Sequence, residues 1–197
     1  MARLTDFMIS RVREKLYAIF FDNPNEMFYV RELTRSAGEE INAVRRELNR
    51  MERNKIIKSE KRSNRLYYFL RQDYDFFEDL LGMIAKSAGL GLQLRKVQSE
   101  LGKIRFVMFS GAFVRRKKRV SDDVDVLVVG ELNLERLSEL VKAEEKRLKT
   151  EINYTVMTDE EFIFRKQRRD PFLLTILSKS RFMIIGDEEG LVDRKEA

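Results

Sequence analysis

Phe109 to Gly130, FSGAFVRRKKRVSDDVDVLVVG, holds two apolar runs separated by small, basic and acidic residues. Val107-Met108-Phe109 ends the first run, which predicts a buried strand. Ser110-Gly111-Ala112 breaks it with small residues that let a phosphate approach the backbone amides. Arg115-Arg116-Lys117-Lys118-Arg119 follows. This run either grips a triphosphate or an RNA, or forms a solvated helix face. Asp122-Asp123-Val124-Asp125 then leads into Val126-Leu127-Val128-Val129, a second strand closed by Gly130. Residues two apart in an extended chain share a side, so Asp123 and Asp125 project together, their backbones roughly 6 to 7 Å apart. Two carboxylates aimed at one point favour a cation between them, the alternative being a solvated strand edge. Oxygen-only ligation suits Mg²⁺, with a nucleoside triphosphate supplying further ligands. Asp122 is expected to cap or to face water.

These residues resemble the nucleotidyltransferase core of the DNA-polymerase-β-like superfamily, close to the minimal nucleotidyltransferases. The family pattern is Gly-Ser, a helix turn with Ala-Arg-Gly, then Asp-x-Asp before a hydrophobic strand. Gly111 falls on the family glycine, Arg115 on the arginine, and Asp123 and Asp125 on the paired aspartates, with no gap. Two positions depart: Ala112 stands where the family has a phosphate-contacting serine, and Arg116 where it keeps a second glycine. The resemblance implies a nucleotidyltransferase fold with a mixed sheet, nucleotide binding at Gly111, Ala112 and Arg115, and Mg²⁺ on Asp123 and Asp125. It also implies a third catalytic acid on a neighbouring strand. Glu151 is the only acid at the candidate strand 151–157, and as that strand's first residue it is equally placed to be a surface group. The segment Thr158-Asp159-Glu160-Glu161-Phe162 resembles one that follows the aspartate pair in fused regulator–nucleotidyltransferase proteins. With the metal half of the motif intact and the phosphate half eroded, the fold is expected and catalysis is not.

The 197 residues suffice for one large or two small domains. There is no cysteine and no histidine. That excludes disulfides, thiolate metal sites, cysteine nucleophiles and the commonest general base. No apolar window is long enough to span a membrane and no signal sequence is visible, so a cytoplasmic protein is expected. The formal net charge is +6, and the whole excess lies in the first 72 residues. Such asymmetry points to a nucleic-acid partner for that part, against a solvated basic face with no partner.

That first part has an order of its own. Thr5 is expected to cap a helix carrying Phe7, Met8, Val12, Leu16, Ile19 and Phe20. A short helix, 31–37, stops at Gly38. A third helix, 41–54, buries Ile41, Val44, Leu48 and Met51. Its other side carries Asn42, Arg45, Arg46, Asn49, Arg50 and Arg53. Two strands, 56–61 and 65–70, flank a turn at Arg62-Ser63-Asn64. Val30-Arg31-Glu32-Leu33-Thr34, Ala43-Val44-Arg45-Arg46-Glu47-Leu48 and Arg65-Leu66-Tyr67-Tyr68 resemble the core helices and wing of ArsR-like winged helix-turn-helix regulators. The resemblance implies DNA binding by Asn42, Arg45, Arg46, Asn49 and Arg50 in the major groove. Lys61, Arg62 and Arg65 would meet phosphates or the minor groove. Glu39 and Glu40 precede the basic helix. They suit its dipole but would repel nearby phosphate.

The expected organisation is α+β: a winged helix-turn-helix over 1–72, a connecting helix over 73–91, and a nucleotidyltransferase-like domain over 92–197. The expected function is a homodimeric DNA-binding transcriptional regulator whose second domain binds nucleotide and Mg²⁺. The alternatives are an active enzyme transferring a nucleoside monophosphate to a protein or small acceptor, and a purely structural role for that domain.

Overall fold

The computed structural model describes residues 10–118 and 123–192. The expected cap at Thr5, and Arg119 and Asp122, lie outside the described residues. The chain is α+β and divides into two compact units, Met1–Ser87 and Ala88–Ala197.

In the first unit α1 (Arg11–Asp22) starts at Ser10, whose Oγ accepts from the Arg13 N–H. Leu16, Tyr17, Phe20 and Phe21 form its buried face. A two-residue strand β1 (Phe28–Tyr29) leads into α2 (Val30–Ala37). Gly38 ends α2 in the left-handed region, φ +61°, with its N–H bonded to the Thr34 carbonyl at 3.0 Å. α3 (Ile41–Arg53) buries Val44, Leu48 and Met51 against this core. Strands β2 (Ile57–Arg62) and β3 (Arg65–Leu70) form an antiparallel hairpin with Arg62 opposite Arg65. The sheet order is β1-β3-β2. α4 (Phe77–Ser87) lays Phe77 5.8 Å from Phe21 of α1.

The stretch 73–91, expected to be a connecting helix, is divided between the two units, which meet at Ser87 and Ala88 in the sequence. Its first helix joins the core of the first unit. Gly89 and Gly91 lie in α5 (Gly89–Lys96), the first helix of the second unit. A Cβ on Gly89 would stand 2.7 Å from Glu144 Oε1, so glycine lets α5 lie against the helix that carries Glu144.

α6 (Gln98–Leu101) precedes strand β4 (Gly102–Ser110). After α7 (Gly111–Val114) come β5 (Val126–Leu132), α8 (Leu134–Leu148) and β6 (Tyr154–Met157). α9 (Asp159–Gln167), α10 (Pro171–Ser178), β7 (Arg181–Ile185) and α11 (Glu188–Val192) complete the unit. The sheet order is β6-β5-β4-β7. β4 pairs antiparallel with β5 and β7, and β5 pairs parallel with β6, so the sheet is mixed. One face packs Phe106, Met108, Leu127 and Val129 against Phe162 of α9 and Leu173 and Ile176 of α10. β5 is buried from Val126 through Gly130, which explains its unbroken apolar run. Because β5 and β6 are parallel while β4 runs the other way, one end of the sheet collects four chain segments. They are the C-terminal end of β4 and the entries to β5, β6 and β7. Among the described residues no helix is long and apolar enough to cross a membrane.

Candidate functional site

Two places carry the residues singled out from the sequence. The first is the outer side of α3. Asn42, Arg45, Arg46, Asn49, Arg50 and Arg53 are all exposed. No other described residue hydrogen-bonds or ion-pairs their side chains. A broad trough of about 820 Å³ runs beside them, lined by Arg46, Asn49, Arg50 and Arg53 together with Glu47 and Glu52. Lys61, Arg62 and Arg65 are exposed at the hairpin tip; Arg62 pairs with Glu60 at 3.0 Å, and Arg65 lies 4.8 Å from the Tyr29 ring.

The acids near α3 are occupied. Glu40 is the N-cap: its carboxylate accepts from the Asn42 and Ala43 N–H groups at 2.8 and 2.9 Å. Those two backbone hydrogen bonds hold its carboxyl below the usual glutamate range. Glu39 takes the Lys15 ammonium at 2.5 Å, and that hydrogen bond lowers its carboxyl likewise. Burial pushes Glu47 up, but hydrogen bonds from Arg13 and Ser10 outweigh it, and the carboxyl ends below its ordinary value. The Arg13 fork grips Glu47 at 2.9 and 3.3 Å. Glu52 accepts from Ser59 Oγ. The two glutamates that should repel phosphate are thus a cap and an ion pair, each serving to fix α3.

The second place is the crowded end of the mixed sheet. Ser110 closes β4, and its Oγ accepts from the Phe113 N–H. The Gly111 N–H, expected to face a phosphate, donates to the Ser180 carbonyl at 2.7 Å. Gly111 is buried, and Ala112 beside it is half-buried. Arg115 donates to Ser180 Oγ at 3.2 Å and stacks 5.3 Å from the Phe182 ring. Arg116, in the left-handed region at φ +52°, lies over Phe113.

Asp123 and Asp125 precede β5 rather than lying in it. Asp125 is 5% exposed and is stitched to both neighbouring segments. Its carbonyl accepts from the Ser110 N–H at 2.8 Å, its N–H donates to the Asn153 carbonyl at 2.7 Å, and its Oδ2 accepts from the Asn153 N–H at 2.9 Å. Asn153 Nδ2 also donates to the Asp123 carbonyl at 2.9 Å. Asp123 Oδ1 accepts from the Lys179 ammonium. Beside that pair is a recess of about 30 Å³, walled by Ser110, Asp123 and Lys179 and by Met108, Val124 and Ile176. It has room for about one water molecule.

Glu151 is exposed and lies outside any strand, because β6 begins only at Tyr154. Asn153, the residue just before that strand, holds the aspartate segment. Among the described residues no three carboxylates form a metal-ligating group, so Glu151 does not join Asp123 and Asp125. The two aspartates as arranged are a poor fit for Mg²⁺: Lys179 neutralises one and the Asn153 N–H engages the other.

Sequence reasoning missed Asn153, Lys179 and Ser180. Nothing local marks Ser178-Lys179-Ser180 as functional. Its neighbourhood arises from the pairing of Ser110 with Arg181, a contact between distant parts of the chain. No protein-family model, curated protein or solved structure matches the chain.

Proposed function

We propose that the protein is a DNA-binding transcriptional regulator. Its first unit works as a winged helix-turn-helix and its second carries a nucleotidyltransferase-like fold. The observation that carries this is the α3 face: six exposed Asn and Arg side chains, with further basic residues exposed at the hairpin tip, and with Glu39 and Glu47 paired to Lys15 and Arg13. A helix of this kind enters the major groove, where Asn and Arg read base edges. Lys61, Arg62 and Arg65 meet phosphates beside it. A homodimer on a symmetric operator extends the few base pairs that one such unit reads.

The second unit is a weak nucleotide binder without transferase activity. Support comes from Lys179 on Asp123, the Ser180 carbonyl on the Gly111 N–H, and the absence of a third carboxylate among the described residues. Transfer depends on fixed donors and charges placed around the phosphates before reaction. Here those groups already satisfy one another. The test has two arms. Mobility shifts of the full chain on genomic DNA fragments should give salt-sensitive complexes. Incubation with each labelled nucleoside triphosphate should leave no label on protein or RNA. Labelling abolished by Asp123→Asn would instead establish an enzyme.

A further inference from the structure

The exposed residues of α3 are not equivalent. An α-helix turns about 100° per residue. On that spacing Asn42, Arg46, Asn49 and Arg53 fall within about 60° of one another and form one line along the helix. Val44, Leu48 and Met51, all buried, lie on the opposite side, so this line is the crest of the exposed face. Arg45 and Arg50 stand about 70° to either side of it. The crest therefore alternates amide and guanidinium, Asn-Arg-Asn-Arg, and single arginines flank it.

The two chemistries suit different targets. An amide carries a donor and an acceptor on one plane and matches N6 and N7 of adenine. A guanidinium matches O6 and N7 of guanine. Simple phosphate attraction does not call for two neutral amides at the centre of a basic surface. A helix lying in a major groove turns its crest to the groove floor and its flanks to the two phosphate walls.

We infer that Asn42 and Asn49 each read an adenine, that Arg46 between them reads a guanine, and that Arg45 and Arg50 hold the phosphates on either side. Asn42 and Asn49 are about 10 Å apart along the axis, or roughly three base-pair steps. The half-site thus carries two A·T pairs about three steps apart with a G·C pair between them. Arg53, in the last turn, extends the line towards the hairpin end of α3.

This assignment rests on the DNA-binding proposal above, and the experiment separates the two. The full chain is used to select duplexes from a random pool. Affinity for the selected site and for single-base variants is then measured by fluorescence anisotropy across several salt concentrations. Asn49→Ala should erase discrimination at one A·T pair by about tenfold or more while leaving the salt slope unchanged. Replacing that adenine with 7-deazaadenine should weaken the parent protein and not the variant. Arg46→Ala should erase the G·C preference. Arg45→Ala and Arg50→Ala should weaken all sequences alike and flatten the salt slope by about one each. All five residues are exposed, and unchanged melting temperatures will confirm that the variants fold. Duplex binding in which Asn49→Ala keeps every base preference overturns this inference alone. Failure to bind any duplex at low salt overturns the DNA-binding proposal with it.

Discussion

The Gly111 N–H donates to the Ser180 carbonyl at 2.7 Å, so the glycine on which a phosphate site was expected is joined instead to the entry of β7. A Cβ at Gly111 would stand 2.2 Å from Ser180 Oγ and 3.0 Å from the Ser180 carbonyl oxygen. The glycine is required for that contact. Gly111→Ala should destabilise the second unit by about 1–3 kcal/mol, the usual cost of overpacking. Thermal melts of the full chain followed by circular dichroism will show it. An unchanged melt would mean that the β4–β7 junction is loose.

Lys179 acts on Asp123 as a tethered cation. Lys179→Ala removes that charge and leaves the Asp123 carboxylate without its cation, two residues before Asp125. Mn²⁺ should then bind the variant more tightly than the parent by calorimetry. Asp123→Asn with Asp125→Asn should abolish the gain. Equal Mn²⁺ affinity in parent and Lys179→Ala would show that the ammonium does not compete with metal.

The basic face of α3 carries DNA affinity as a set. Substituting Arg45, Arg46 and Arg50 by Ala deletes three cationic contacts and leaves the buried face of α3 untouched. The slope of log affinity against log salt should flatten by roughly two to three. Identical mobility shifts for parent and triple variant at several salt concentrations would remove α3 from the interface.

Glu47 titrates below its usual 4.5 in the folded chain, since hydrogen bonds from Arg13 and Ser10 outweigh its burial. A carboxyl lowered by folding contributes stability that is present above its unfolded value. That contribution disappears as pH falls through the folded one. Stability of the parent should decline on acidification below about pH 4.5. Glu47→Gln should lower stability at neutral pH and shrink that acid decline. Melting temperatures of both proteins between pH 3 and pH 7 will decide; parallel profiles would count against the Arg13–Glu47 pair.

Much of this protein is written locally. Val44, Leu48 and Met51 recur at helical spacing, so α3 and its exposed Asn and Arg side chains could be read from the sequence, because one stripe buried fixes the other in solvent. Val126 to Val129 read as a strand because a β-strand covered on both faces needs apolar residues throughout. Other features depended on distant parts of the chain meeting. The close approach at Gly89, where a Cβ would stand 2.7 Å from Glu144 Oε1, has no local mark in the sequence. Glu151 sits where alternation begins a strand. Asn153 instead spends its backbone and side chain on Asp123 and Asp125, which delays the strand to Tyr154. Asp123 and Asp125 were visible as a pair, but their partner charge was not. Lys179 lies 56 positions further along the chain, and antiparallel pairing of β7 with β4 is what brings that region to the aspartates. Local periodicity determined which residues form helices and strands and which side chains face solvent. Strand pairing across long separations decided which charges meet at the sheet end, because a carboxylate's partner is set by distance in space and not along the chain.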